Sequence, residues 1–268
     1  MSNVYNTATN KREYKKSIKA FLEKTPFGNW LVNCYRKRWT TIYRSKFIPN
    51  QSGVFYEMNE EAGLMDIDIR FKRLSHGEPF EFPDMIAANK AIGLNFLTED
   101  IHNVINIGSG VGTFENINAP LYPQTNFLAS EMDINCTEWV RNNRPFANVE
   151  YSTESIGDIL QHKGKFDLAL SVDVIEHVKN YKEFLEEFSQ LADRAVLTTP
   201  NRDRHVKQMK KPSYEYHVQE FNAGELYFIL KMYYKRVVLF SAPDVLGTHL
   251  VKVGLYSTYN KLFAYCER

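Results

Sequence analysis

The sequence predicts a doubly wound α/β domain, and three observations carry that reading. From Val104 onward, short apolar segments alternate with segments of helical periodicity, the pattern of a mainly parallel sheet with right-handed helical crossovers. The first apolar segment runs straight into a glycine-rich turn, Gly108-Ser109-Gly110-Val111-Gly112. The next one ends on an acidic residue, Glu131, 23 positions after Gly108.

Taken in order, residues 11–24 and 29–47 have apolar residues at helical spacing, with Pro26-Phe27-Gly28 as the break between them. Met65, Ile67, Ile69 and Phe71 alternate with charged residues, which predicts a strand with one wet face. Residues 84–97 read as a helix. The strands of the alternating region are expected at 104–107, 126–131, 149–153, 166–172 and 195–199, with two later ones near 236–240 and 261–266. The segment 166–172 is almost wholly apolar, as a strand covered by helices on both faces should be. Helices are expected at 134–142, 181–191 and 226–233. Asn180 with Glu183, and Asn222 with Glu225, have the spacing of capping boxes before two of them. The chain therefore divides into a helical N-terminal extension, or cap, with a short strand at 1–83 and a main domain at 84–268.

No apolar run approaches the about 20 residues needed to cross a bilayer, and Met1–Asn10 lacks the apolar core of a signal peptide. The three cysteines are widely spaced, which argues against both a disulfide framework and a metal knot. A cytoplasmic location is the expectation. The net charge of +1 hides an asymmetry: residues 1–48 carry eleven Lys/Arg against two Glu, so +9, and the remainder is −8. Such a basic segment suits contact with an anion, and equally suits a solvated helix surface.

Glycines after a strand allow tight backbone angles and let a ligand approach the main chain. A carboxylate at the end of the next strand can accept hydrogen bonds from both hydroxyls of a ribose. The nucleotide is not a dinucleotide of the G-x-G-x-x-G type, because position 113 is threonine, and no phosphate loop of the G-x-x-x-x-G-K-[ST] type occurs.

Six segments, in order, resemble class I S-adenosylmethionine-dependent methyltransferases. They are Ile107–Gly112, Ala129-Ser130-Glu131-Met132-Asp133, Phe166-Asp167-Leu168, Asp173-Val174-Ile175-Glu176-His177-Val178, Leu197-Thr198-Thr199-Pro200-Asn201-Arg202 and His217-Val218-Gln219-Glu220-Phe221. The likeness covers about residues 100–240 and is strongest to the broad group of ubiquinone-biosynthesis O-methyltransferases and sugar or natural-product methyltransferases. It implies a Rossmann-like seven-stranded sheet whose last strand is antiparallel. It further implies S-adenosylmethionine as cofactor, with its methionine end over Gly108, Ser109, Gly110 and Gly112. The ribose would lie on Glu131 beside Met132, and the adenine near Glu154, Ser155 and Ile156. Asp173 would border the cofactor. One position departs from the pattern. Asn106 stands where such enzymes usually have Asp, so an amide replaces the carboxylate expected to meet the methionine ammonium.

Glu176, His177 and His217 are the candidate catalytic residues. A hydroxyl acceptor must lose a proton, and an imidazole is suited to take it. Asp173-x-x-Glu176-His177 with His217 resembles the metal set of small-RNA 2′-O-methyltransferases, but with Asp for the usual first Glu; no metal is expected. A basic loop from Arg202 to Lys211 would border the acceptor. The expected function is O-methylation of a saccharide or other polar small molecule. The alternatives are a methyltransferase-like subunit without turnover, which Asn106 favours, and an RNA methyltransferase, which the basic N-terminal segment favours. Nucleic acid is the less favoured partner.

Overall fold

The structure, a computed structural model, describes residues 83–204, 217–242 and 249–268. The helices and strand expected within 1–82, and the basic residues from 205 to 211, lie outside the described residues.

Among the described residues the strands are β1 (Asn103–Ile107), β2 (Asn126–Ser130), β3 (Val149–Ser152), β4 (Leu168–Val172), β5 (Arg194–Pro200), β6 (Arg236–Ser241), β7 (Val251–Lys252) and β8 (Lys261–Glu267). They form one sheet in the order β3-β2-β1-β4-β5-β8-β6-β7. β1 to β5 pair in parallel. β8 inserts antiparallel between β5 and β6. The helices are α1 (Pro83–Phe96), α2 (Thr113–Asn118), α3 (Ile134–Asn143), α4 (Ile156–His162), α5 (Tyr181–Leu191) and α6 (Ala223–Leu230).

Side chains of successive strand residues fall into two cores, as the period of two requires. Ile105, Ala169 and Leu197 join α5 and α6 on one face. Val104, Leu168, Leu170 and Val196 join α1 and α2 on the other. Within the first core Leu185, Phe188 and Leu191 of α5 are fully buried, the stripe that its sequence spacing predicts. On the second face α1 and α2 approach closely: a Cβ on Gly93 would fall 1.9 Å from Asn118 Oδ1. The Asn118 amide donates to Asn89 O and Phe114 O, which ties the two helices together.

Several expectations need adjustment. The sheet has an eighth strand, because the two-residue β7 pairs with the edge strand β6. β4 begins at Leu168 rather than Phe166, which makes only an isolated bridge to Ala192. α6 starts at Ala223 and ends at Leu230, where a turn carries the chain toward β6. α4 was not expected. Its cap is Ser155, whose Oγ accepts from Asp158 N, a signal obscured by Gly157 in the first turn. The two capping boxes also differ. Asn222 and Glu225 exchange both hydrogen bonds, whereas the Asn180 side chain makes no backbone cap and donates instead to Glu183 Oε2 at 2.5 Å.

That difference gives a direct test. Asn222→Ala should lower stability by about 1 kcal/mol, the usual loss of a working cap, and Asn180→Ala by well under half as much. Paired urea melts of the two variants measure this, and equal losses would contradict the capping geometry.

Candidate active site

The parallel strands deliver their carboxyl ends to one edge of the sheet, and the order reverses between β1 and β4. This is where ligands of doubly wound sheets bind. The turn after β1 has Gly108, Gly110 and Gly112 at φ 71°, 53° and 68°, angles that glycine adopts without strain. Gly108 also needs its missing side chain for space: a Cβ there would lie 2.5 Å from Val174 Cγ2. Gly108 N–H and Ser109 N–H both donate to Ser130 O, at 2.8 and 3.0 Å, and sew the turn to the end of β2.

Glu131 follows β2 directly and is buried. It accepts from Gly110 N–H at 2.9 Å and Asp133 N–H at 3.1 Å. Burial raises its pKa, and these two N–H groups oppose the rise. Gly110 and Glu131 are thus brought together, with a carboxylate oriented by main-chain donors. Met132 beside it is exposed. Ile156 is buried, and Ser155 is the exposed cap of α4. Glu154 pairs with His162 at 2.7 Å.

Asn106 is buried in β1 at 2% exposure, and its Nδ2 donates to Glu115 Oε1 of α2 at 2.8 Å. Glu115 is fully buried. Asn106 Oδ1 and Glu115 Oε2 have no hydrogen-bond partner. Burial raises the Glu115 pKa to about 7, against the lowering effects of the Asn106 amide and Arg144. Sequence reading missed Glu115. The available signal was Asn106 itself, because a buried amide in an apolar strand requires a polar partner.

After β4 the chain turns sharply through Asp173, whose φ of 55° is left-handed and unusual for a residue with a side chain. Asp173 Oδ1 accepts from Thr198 Oγ1 at 2.8 Å, and Oδ2 pairs with Lys261 Nζ of β8 at 2.5 Å. Both oxygens of this expected cofactor residue are therefore engaged within the protein. Lys261 is another residue that sequence reading did not find, because β8 reaches the site from 88 residues away.

A 3-10 turn, Ile175–His177, carries the next pair. Val218 N–H and Gln219 N–H donate to Glu176 O, and the Gln219 side chain donates to Ile175 O and Val178 O. This clamp brings His217 to His177, with ring centroids 5.0 Å apart and edge to face. His217 Nδ1 is 2.8 Å from Glu220 Oε1. Burial disfavours the His217 charge, but Glu220, Glu176 and Asp173 together raise its pKa above the ordinary imidazole value. Glu176 is fully buried, and neither oxygen has a hydrogen bond of ordinary geometry, although the nearby Thr199 hydroxyl lowers its pKa. Burial, then the Asp173 charge, push its carboxyl well above the carboxylate range. One ligand atom each from Glu176, His177 and His217 lie within 4.8 Å of one another, a spacing that a divalent ion can bridge.

Arg202, expected to face an acceptor, donates to Glu225 Oε1 at 2.6 Å and to Glu220 O at 3.1 Å. It braces α6 against the clamp. Two surface hollows, one lined by Lys165, Glu186 and Arg268 and the other by Asn103, Asn126 and Lys163, open at the amino ends of the strands. Neither lies near the glycine turn. No described helix is long and apolar enough to cross a membrane.

A glycine turn on β1, an acid closing β2 and a carboxylate–histidine group closing β4 define a nucleotide-binding enzyme of the Rossmann-like class. A sequence profile of a family described as "Methyltransferase domain" matches residues 84–233, more than half of the chain. The chain belongs to that family and is an S-adenosylmethionine-dependent methyltransferase. Solved structures agree on the fold. The plantazolicin methyltransferase BpumL, in complex with SAH, is similar with a TM-score of 0.56 at 14% identity, covering 78% of this chain and 93% of that one. The methyltransferase domain of bacterial CtHen1-C gives 0.51 at 12%, covering 67% and 96%. A SAM-dependent methyltransferase from Aquifex aeolicus gives 0.50 at 13%, covering 74% and 96%. No curated protein sequence matches the chain.

Glu115 sets a pH dependence of stability. Its carboxyl ionises near 4.5 when unfolded and near 7 when folded. Between those values the folded state holds the extra proton, so stability falls as pH rises from about 4.5 to about 7 and this contribution then levels off. The shift corresponds to about 3 kcal/mol. Denaturant melts from pH 5 to 8 should show a shallower decline for Glu115→Gln than for the parent protein. Parallel curves would place the charge cost elsewhere.

Proposed function

We propose that this enzyme methylates a hydroxyl group of a polar acceptor, of the saccharide or small-metabolite class. The observation that carries the proposal is the group Glu176, His177 and His217, held together beside the glycine turn. In this reading Gly108, Ser109, Gly110 and Gly112 receive the methionine end of S-adenosylmethionine. Glu131 takes the ribose hydroxyls on lone pairs not used by Gly110 and Asp133. Met132, Ser155 and Ile156 border the adenine. Asp173, braced by Lys261 and Thr198, shapes the turn between cofactor and acceptor. The cofactor supplies an electrophilic methyl. The chain's own part is to hold the acceptor in line with it and to remove the acceptor proton. Glu220 on Nδ1 of His217 favours the tautomer in which Nε2 is the basic nitrogen. His177, at the mouth of the same group, is the second base.

The acceptor class has support from the rim. Asn201 at the end of β5 donates to Ser257 O and Tyr259 O. That segment presents Tyr256 and Tyr259, which are 59% and 44% exposed. Aromatic faces with a polar edge suit a hydrated, ring-shaped acceptor. The chain also lacks the N-P-P-Y type of motif associated with amino-group acceptors.

A second reading is that a divalent ion joins the site. The unsatisfied Glu176 carboxylate and the Glu220–His217 hydrogen bond favour it, because metal-bound imidazoles commonly pair their other nitrogen with a carboxylate. Glu176, His177 and His217 would hold the ion, which would supply Lewis acidity toward the acceptor oxygen. Elemental analysis and chelation separate the readings. Turnover that survives chelator supports the imidazole bases, and loss restored by a divalent cation supports the ion.

Binding is the first test. The protein should bind S-adenosylmethionine and S-adenosylhomocysteine but not NAD, and Glu131→Ala should weaken binding by about 1.5–3 kcal/mol. A wild-type protein that binds neither would end the proposal. Turnover is the second test, against sugar nucleotides, oligosaccharides, catechols, small RNAs and azole-containing peptides, with the product mapped by mass spectrometry. His217→Ala and His177→Ala should lower turnover by about 100-fold or more with cofactor affinity kept. Methylation confined to nitrogen or carbon would refute the hydroxyl assignment.

The division of the chain belongs to the same proposal. Residues 84–268 carry the cofactor site, and within the extension or cap of residues 1–83 the basic part, 1–48, serves the acceptor or a partner. A chain beginning at Gln51 should keep cofactor affinity and lose turnover on the natural acceptor. Unchanged turnover would refute the acceptor role.

A further inference from the structure

Asn106 breaks the expected pattern, and the structure gives it a carboxylate from elsewhere. We propose that Glu115 is a positioning residue for the cofactor: it holds the Asn106 amide so that Oδ1 receives the methionine ammonium, and it supplies beneath the glycine turn the negative charge that Asn106 lacks. The proposal rests on the cofactor reading given above.

Three observations carry it. An amide has two ends, and which end faces a ligand is fixed by what holds the other. Here Nδ2 is committed to Glu115 Oε1 at 2.8 Å, so Oδ1 is the end left to accept. Asn106 is 2% exposed and its Oδ1 has no partner, an arrangement that is unfavourable unless a donor arrives. Third, Asn106 lies two residues before Gly108, at the end of β1 where the turn leaves the sheet. Glu115 reaches it from the first turn of α2, the helix that starts at the end of the same turn. Loop and acid are therefore one unit, and nine residues of sequence are enough to rebuild a charge that the strand position itself has lost.

The charge is poised. Glu115 is bonded to Asn106 of β1, and it interacts electrostatically with the Arg144 guanidinium that follows α3 and with the Tyr151 hydroxyl of β3. Arg144 donates to Val111 O within the glycine turn, and Tyr151 Oη donates to Arg144 O. With burial holding the Glu115 pKa near 7, an arriving ammonium favours the ionised form and releases a proton. Affinity for a ligand that carries the ammonium should then rise with pH through neutrality. Affinity for one that lacks it should not.

The experiment compares S-adenosylhomocysteine, which has the ammonium, with 5′-methylthioadenosine, which has the same nucleoside and no amino-acid tail. Calorimetry on the full chain at pH 6 and pH 8 should show S-adenosylhomocysteine tightening several-fold and 5′-methylthioadenosine unchanged. In Glu115→Gln the pH effect should disappear, and S-adenosylhomocysteine should bind about tenfold more weakly at pH 8 with 5′-methylthioadenosine unaffected. Equal loss for both ligands in Glu115→Gln would make the residue merely structural and overturn the proposal, as would no loss for either. If that variant does not fold, the wild-type pH comparison decides alone: a flat S-adenosylhomocysteine profile overturns it. Wild type that binds neither ligand fails the cofactor reading first and this inference with it. Binding of both with flat profiles fails this inference only.

Discussion

The site depends on one tight passage, where the backbone of Gly108 crosses the side chain of Val174. The turn after β1 and the turn after β4 come from neighbouring strands, and they can both reach the switch point only if one of them lacks a side chain there. Once Gly108 takes its left-handed angle, Gly108 and Ser109 point their N–H groups at Ser130 O, and Gly110 points at Glu131. The end of β2 is fixed by the same contacts. On the other side of the passage Val174 leads directly into the turn that carries Glu176 and His177. One steric requirement thus sets the spacing between the glycine turn and the carboxylate–histidine group.

The second half of the arrangement is held by hydrogen bonds together with the packing of Phe221 against Tyr181 in the core. Residues 217–221 hang on Glu176 O through two main-chain N–H groups, and Arg202 joins Glu220 O to Glu225. Glu225 at the same time closes the capping box of α6. The position of His217 is therefore tied to the start of α6 through Glu220 and Arg202. The energies are those of several modest bonds acting on one segment, which is sufficient because β5 and α6 are anchored in the core through Leu197, Leu226 and Ile229.

The order of strands and helices from residue 103 onward was legible because each strand alternates between two cores, and because α5 carries an unbroken apolar stripe. The glycine turn and Glu131 were legible for a related reason: both lie next to strand ends that the period already locates. What stayed hidden came from long range or from weak local signals. Lys261 meets Asp173 across 88 residues, and no local pattern announces such a pairing. α4 is seven residues long with Gly157 inside it, too short for a period to show. Asn180 and Asn222 have the same spacing to a following Glu, yet only one forms the box. Spacing permits the motif, and the backbone angle at the first residue decides it: Asn222 has an extended ψ of 172°, whereas Asn180 has 59°.

The distribution of unsatisfied groups ties these strands of argument together. Folded proteins pair nearly all of their buried polar atoms, since each orphan costs about 1–3 kcal/mol. Among the described residues, Asn106 Oδ1, Ser109 Oγ, Glu115 Oε2 and both oxygens of Glu176 are five such atoms, and others lie elsewhere, Asn89 Oδ1 in α1 and Tyr234 Oη before β6 among them. The five belong to β1 and the glycine turn with the helix it starts, or to the turn after β4. At the amino ends of the strands several polar groups are paired within the chain. There Asp167 accepts from His102 and Asn103 N–H, and the Asn148 amide serves three carbonyls. Open acceptors gathered at the glycine turn and at the turn after β4 suit donors that arrive from outside. S-adenosylmethionine carries donors of that kind, an ammonium and two ribose hydroxyls.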